Sequence, residues 1–278
     1  MNGDAGSAAA LWARARDLHE AGVRKGAIHA YRQRVTTIAA GGIVWVLRVL
    51  ENAAEPAPRG ADPFLPPYDP DQHVADLGRH HVLLLNKYPV LPAHVLIVTR
   101  EALSQDAIPG PGDFAAATRL LDGPHTLLFY NGGPESGASQ PHRHFQAVRL
   151  PLGPSSEAIP TAPWIRDHLA GAALPFPGAA LAIAAGAWSE EDGGAQLRTI
   201  AVELLRRCGR SAQAPGSFNL LLTREWMLAV PRVARAWGGV PINSLAYAGA
   251  LIARSQAAER TLRRNGPLAV LIGAADGR

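Results

Sequence analysis

Cysteine is nearly missing from this chain: Cys208 stands alone among 278 residues. That excludes a disulfide framework and any thiolate metal site, and it fits a protein of a reducing compartment. Cys208 falls in a helical pattern between Arg207 and Gly209, where a packed structural thiol is the ordinary reading. Long apolar runs are missing too, each being broken by Arg, Pro, Gly or His within the ~18 residues a membrane span needs. Met1 to Gly22 does not read as a secretion signal, because Arg14, Arg16, Asp17 and Glu20 interrupt its Ala-rich stretch. A cytoplasmic protein with no membrane partner is therefore expected. Charge of one sign is not concentrated either: the net +4 is spread along the chain without basic blocks. No basic stripe with interleaved aromatics occurs, which argues against a nucleic-acid partner and suits a small anionic ligand. Internal repeats and a Gly-x-Ser-x-Gly elbow are absent as well.

What the chain does have is a hydrophobic share of 47%, enough for a sizeable core in one large domain or two modest ones. Ala8 to Glu20 has helical spacing with Gly22 as its stop, and Ile43 to Leu50 reads as a strand. Ala53 to Pro70 is Pro-rich and irregular. Two strands, His81 to Asn86 and His94 to Thr99, flank a stiff connector with two prolines. A helix from Asp113 to Leu121, capped by Asp113, precedes a short buried strand, Thr126 to Tyr130. Beyond Leu150 come a helix over Asp192 to Arg207 and a hairpin of Phe218 to Thr223 with Trp226 to Val230. Helices are expected over Ser244 to Arg254, capped by Asn243 or Ser244, and over Gln256 to Arg264. Strands and helices mix without regular β-α-β alternation, so the fold class expected is α+β.

One stretch concentrates the chemistry. A loop of small residues, Asn131 to Pro141, runs into an alternating segment, His142 to Leu150. In a strand, side chains two apart share a face, which puts His142, His144 and Gln146 in a row. A Gly/Ser loop can aim several N–H groups and a hydroxyl at one anion. Neutral imidazole is a nucleophile near pH 7, and its attack on phosphorus splits a transfer into two displacements. Gln146 can donate an amide hydrogen to a phosphoryl oxygen without adding a base, and Ser139, Gln140 and the loop N–H groups can steady the remaining charge. On spacing alone a two-histidine metal site and packed structural histidines stay open, although Gln is a poor third ligand and no acid or thiol is adjacent.

The stretch from Phe129 to Gln146, FYNGGPESGASQPHRHFQ, resembles the signature of diadenosine tetraphosphate phosphorylases, also called ATP adenylyltransferases, in the histidine-triad superfamily. Val82 to Val90, with Asn86 and Lys87, is similar to the family's strand ending in Asn-Lys. Phe218 to Arg232 is similar to its C-terminal hairpin, and Ile242 to Gly249 to the helix start that follows. The resemblance implies a histidine-triad-like, mainly antiparallel sheet flanked by helices and extended by a C-terminal segment. Residues 1–155 would carry the His-x-His-x-Gln motif, and residues 156–278 would pack on the same fold. It further implies that His144 takes the adenylyl group, that the carbonyl of His142 orients its ring, and that Gln146 replaces the third histidine of hydrolases. Asn86, Lys87, Asn131, Gly137, Ala138, Ser139, Gln140, Asn219 and Thr223 match substrate-binding positions. The implied reaction is diadenosine tetraphosphate plus phosphate giving ATP and ADP, and its reverse. The implied partners are these nucleotides and phosphate. No tightly bound cofactor and no protein-held metal are expected; Mg²⁺ would come with the polyphosphate.

The pattern also departs from the family. Where the family carries a Lys after the first strand, this chain reads Glu51-Asn52-Ala53-Ala54-Glu55-Pro56, acidic in place of basic. Arg48 or Arg59 would have to stand in, or the hold on the polyphosphate is weaker. Trp164 to Gly186 also matches poorly. A transferase acting on a nucleotide sugar shares the His-x-His-x-Gln logic, but the cysteine ligands common in that group are missing. A non-catalytic nucleotide-binding protein would have no need of the intact row.

Overall fold

The computed structural model describes residues 6–51, 62–188 and 192–277. Its first element, α1 (Ala8–Lys25), is capped by Ser7, whose hydroxyl accepts from the Ala10 N–H. The helix runs past the expected stop at Gly22 and ends at Gly26 in the left-handed region. Gly22 instead lies against Ile28, where a methyl group would collide with that side chain. Strands β1 (Gln33–Ala40) and β2 (Ile43–Leu50) form a hairpin. Then come β3 (His73–Leu77), β4 (His81–Leu85) and β5 (Val95–Thr99). α2 (Pro111–Thr118) starts at Gly110, so Asp113 is not its cap residue; it sits inside the first turn and accepts from the Gly110 N–H. β6 (Thr126–Gly132) and β7 (His144–Arg149) bracket the small-residue loop.

The second part of the chain supplies α3 (Ala162–Leu169), β8 (Ala179–Ala182), α4 (Gly193–Arg207), β9 (Ser217–Leu222) and β10 (Trp226–Arg232). The short β11 (Ala236–Trp237) and β12 (Val240–Pro241) follow, then α5 (Ser244–Tyr247), β13 (Ala250–Ala253), α6 (Gln256–Asn265) and α7 (Pro267–Asp276). The single helix expected over Ser244 to Arg254 is thus a one-turn helix and a strand. Asn243 caps the turn, Gly249 at φ 92° ends it, and Ala250–Ala253 pairs in parallel with β2. Apolar Ala-Leu-Ile-Ala fits either state by itself; the empty edge of β2 decides.

Every strand pairing in the main sheet is antiparallel, in the order β3-β4-β5-β7-β6-β9-β10-β8. β9, β10 and β8 from the second part therefore continue the sheet begun by the first. This is the α+β arrangement expected. On one face α1, α2 and α4 bury Leu11, Trp12, Phe114, Leu204 and Leu205 against Phe145, Tyr130 and Phe218. On the other face, the β6-β9-β10 half is covered by β2, β13 and α7 through Trp45, Leu251 and Val270. The β4-β5 half of that face carries a separate cluster, in which Phe64 closes over Val82, Leu84, Leu96 and Val98. β7 lies between these two apolar bodies, with β5 on one side and β6 on the other. No described helix is long and apolar enough to cross a membrane. Cys208 is half-buried near the Ala229 carbonyl, and burial pushes its thiol up to about 11, which makes it a poor nucleophile.

Candidate active site

His144 opens β7, and the strand period carries His144 and Gln146 to the face between the two apolar bodies, opposite Phe145 and Ala147. The register sets Gln146 beside Leu96 of β5 and Phe129 of β6. His144 Nδ1–H donates to the His142 carbonyl at 2.8 Å. With its proton fixed there, the neutral ring keeps the lone pair on Nε2. Burial lowers the pKa of His144 to about 4, opposed by the bond to His142. The ring is therefore neutral at pH 7 and nucleophilic.

His142 precedes the strand, and both of its ring nitrogens are engaged by protein groups. Its Nε2–H donates to the Thr99 carbonyl at 2.6 Å, and its Nδ1 lies 2.7 Å from the Asp62 carboxylate. Phe64 stands edge-on to both rings, with centroids 5.7 Å from His142 and 5.0 Å from His144. The backbone of His144 is clamped by Gln105, whose Oε1 accepts from its N–H while Nε2 donates to its carbonyl and to that of Asn131. Gln146 Oε1 lies 2.9 Å from His94 Nε2, and His94 Nδ1 lies 3.3 Å from Asn86 Nδ2. Burial also lowers His94 to about 4. Asn86 Oδ1 accepts from the Tyr88 N–H. Lys87 is half-buried just past β4 and pairs with no carboxylate among the described residues.

The small-residue loop is shaped by close approach to the second part of the chain. The missing side chains of its glycines face protein. A Cβ on Gly132 would enter the Phe218 ring, and one on Gly137, at φ 87°, would stand 2.6 Å from the Ile242 carbonyl oxygen. Glycine here lets the loop press onto the second part of the chain. Ala138 is buried, Ser139 is exposed and Gln140 half-buried at the lip, and neither polar side chain makes a hydrogen bond among the described residues.

Asn131 and Asn219 lie beneath the loop, directly opposite each other across β6 and β9. Asn131 Oδ1 accepts from Asn219 Nδ2, Ser244 N–H and Ser244 Oγ. Asn219 Nδ2 also donates to the Ser136 carbonyl, and Arg232 Nη1 donates to Asn219 Oδ1 at 2.6 Å. Both ends of the Asn219 amide thus meet protein groups, which ties it to the loop and to Arg232. Thr223 is not brought to this group. It follows β9 at the end away from Asn219, and its Oγ accepts from the N–H groups of Glu225 and Trp226 in the hairpin turn. Arg48, one stand-in for the missing Lys, is buried and donates to the Leu152 carbonyl, so it is committed inside the fold. Glu55 and Arg59 lie outside the described residues. Among those described, no three His, Cys, Asp or Glu side chains converge as metal ligands.

Sequence reasoning missed Asp62, Phe64, His94, Thr99 and Gln105. Ala93, just before His94, is held at φ 51°, the only described non-glycine residue with positive φ, which the sequence does not show. The others reach the site only through tertiary contact.

Comparison with known proteins places the chain in a family. A family model for the Ap4A phosphorylase N-terminal domain matches residues 3–167, and one for the ATP adenylyltransferase C-terminal domain matches residues 172–275. Diadenosine 5',5'''-P1,P4-tetraphosphate phosphorylase 2 of Saccharomyces cerevisiae is 30% identical over 238 residues, covering 71% of this chain and 70% of the yeast one. Protein APA1 of the same yeast is 28% identical over 232 residues, with the same coverage. The crystal structure of yeast Ap4A phosphorylase Apa2 in complex with AMP superposes with a TM-score of 0.78 over 95% of this chain and 96% of that one, at 24% identity. The Apa2 complex with Ap4A gives 0.75 at 23% identity over the same shares. By family model and by sequence, the chain belongs to the Ap4A phosphorylase (ATP adenylyltransferase) family.

Proposed function

We propose that this chain phosphorolyses diadenosine tetraphosphate to ATP and ADP, and runs the reverse, through an adenylyl group carried on His144. One observation carries the reading. His144 is buried and neutral, its Nδ1–H is fixed on the His142 carbonyl, and its lone pair is on Nε2. In the first step Nε2 attacks an end phosphorus of the tetraphosphate. The P–N bond forms, the P–O bond to the next phosphate breaks, and ATP leaves with the electron pair, needing no proton from an acid. The cationic ring is steadied by the His142 carbonyl against Nδ1–H. In the second step a phosphate oxygen attacks the same phosphorus, the P–N bond breaks, and ADP leaves with the ring neutral again.

The remaining residues take supporting parts. Gln146 donates its amide hydrogen to a non-bridging oxygen, and Ser139, Gln140 and the backbone N–H groups near Gly137 and Ala138 surround the phosphoryl group. Lys87 meets the polyphosphate, with Asn86 beside it, and Mg²⁺ arrives as part of the polyphosphate substrate. Asn131 and Asn219 hold the loop, and Thr223 holds the hairpin. The test is product analysis with and without phosphate. ATP and ADP should form only with phosphate, and His144→Ala should lower the rate more than about a thousandfold. Formation of ATP and AMP without phosphate would instead make the chain a hydrolase.

A further inference from the structure

His94 is a buried histidine that the transfer steps leave unused, yet it touches the residue that decides between transfer and hydrolysis. Its neighbours form a chain of hydrogen bonds whose direction is forced from one end. The Tyr88 backbone N–H is a donor without ambiguity, and it donates to Asn86 at 2.9 Å. The Asn86 atom facing it must be the oxygen, so the amide group turned toward His94 Nδ1, 3.3 Å away, is NH₂. His94 Nδ1 must then accept. The neutral ring carries its proton on Nε2 and donates it across 2.9 Å to Gln146. The Gln146 atom at that end must be the oxygen. Its NH₂ group makes no hydrogen bond among the described residues and belongs to the strand face that also carries His144.

We infer that His94 is a positioning residue: with Asn86 it locks the Gln146 amide so that only a donor faces the phosphorus, which selects phosphate over water as the acceptor of the adenylyl group. The chemistry follows from proton count. Water attacking the adenylyl-histidine forms the P–O bond as the P–N bond breaks and sheds its proton to bulk solvent, and a hydrogen-bond acceptor in front of it would aim its lone pair at phosphorus. The amide oxygen of Gln146 could aim water in this way but could not take its proton, and His94 holds that oxygen away. Phosphate brings an oxygen already without a proton, so a donor suffices for it. The strained backbone of Ala93, φ 51°, immediately before the ring, shows that the fold holds His94 in place against a local cost.

This inference rests on the phosphorolytic reading above, so the test has an arm independent of turnover. Nitrogen-15 NMR of histidine-labelled protein should find the His94 proton on Nε2; a proton on Nδ1 overturns the relay. In kinetics, His94→Leu keeps the bulk and removes the donor. It should lower kcat for phosphorolysis about a hundredfold with little change in KM for diadenosine tetraphosphate, and AMP from water attack should appear beside ADP. His94→Gln places an NH₂ where Nε2–H was, and should restore most of kcat and suppress AMP. Equal impairment in both variants, or the same AMP share in all three proteins, overturns the assignment. If the wild-type protein makes no ATP and ADP, the phosphorolytic reading fails, and the tautomer measurement still decides the relay. It also decides alone if His94→Leu does not fold.

Discussion

At the scale of single residues, the site keeps two imidazoles uncharged by burying them. His94 and His144 are both held at about 4 by desolvation, against an ordinary 6.5. Each ring binds a proton less readily in the folded chain than in the unfolded one. Between those two values the unfolded state carries more protons, so stability rises with pH. Their contribution is complete above about pH 6.5 and drains away toward pH 4, by on the order of 3 kcal/mol per ring. Urea unfolding at pH 7, 6 and 5 should show this decline, and His94→Gln should remove about half of it. A flat profile would mean that the rings are hydrated. The same depression predicts a nucleophile active in mild acid. The burst of ATP that precedes phosphate attack should keep its rate from pH 8 to pH 5, and a break near 6.5 would contradict the burial of His144.

At the scale of elements, the loop between β6 and β7 is held by contacts from the second part of the chain. Gly137 lacks a side chain because the Ile242 carbonyl and Asn243 occupy its place. Gly26, at the end of α1, has a similar φ of 75° but open space around it. Alanine at either position bears the left-handed backbone cost of about 1 kcal/mol. Only Gly137→Ala adds a collision, which moves Ser139 and Gln140. It should therefore cost at least about 2 kcal/mol and raise KM, whereas Gly26→Ala should leave kinetics alone. A Gly137→Ala protein as active as Gly26→Ala would remove the loop from the site. Arg232 makes the other tie: its guanidinium donates to Asn219 Oδ1 and to the carbonyls of Ser136, Ala234, Ile242 and Ala274. None of this was readable locally. Gly in a loop signals positive φ or close approach but not toward what, and an Arg at a strand end reads as solvated. What was readable from strand period is that His144 and Gln146 share a face; the tie of His144 to the His142 carbonyl came only with the family resemblance, and His142 itself lies before the strand and not in its row. The residues that complete the site, Asp62, Phe64, His94 and Gln105, make contacts 39 to 80 residues away in sequence, beyond any local pattern.

At the scale of the molecule, the catalytic motif and its supports come from different parts of one continuous sheet. The first part provides β3 to β7, the second adds β9, β10 and β8, and β13 returns to pair with β2. Both large cores mix the two parts: Leu11 and Phe145 share one with Phe218 and Met227, and Trp45 and Phe129 share the other with Leu251 and Val270. The two family models change over between residues 167 and 172, beyond the boundary near 155 expected from the sequence, while both large cores draw buried side chains from either side of these positions. Cutting there would strip β6 of β9 and leave Leu127 and Phe129 facing water, which at about 2 kcal/mol for each large apolar side chain is beyond what either part can offset alone. The chain should therefore unfold as one unit in spite of its length. Tryptophans report on both parts, Trp12 and Trp45 in the first and Trp226 and Trp237 in the second. In urea, the far-ultraviolet dichroism and the fluorescence of variants keeping only Trp45 or only Trp226 should trace one transition with one midpoint. If the Trp226 signal moves at a lower urea concentration than the Trp45 signal, the second part is an independent domain. Asn131, Asn219 and Arg232 would then be a removable clasp and not the frame on which the loop is built.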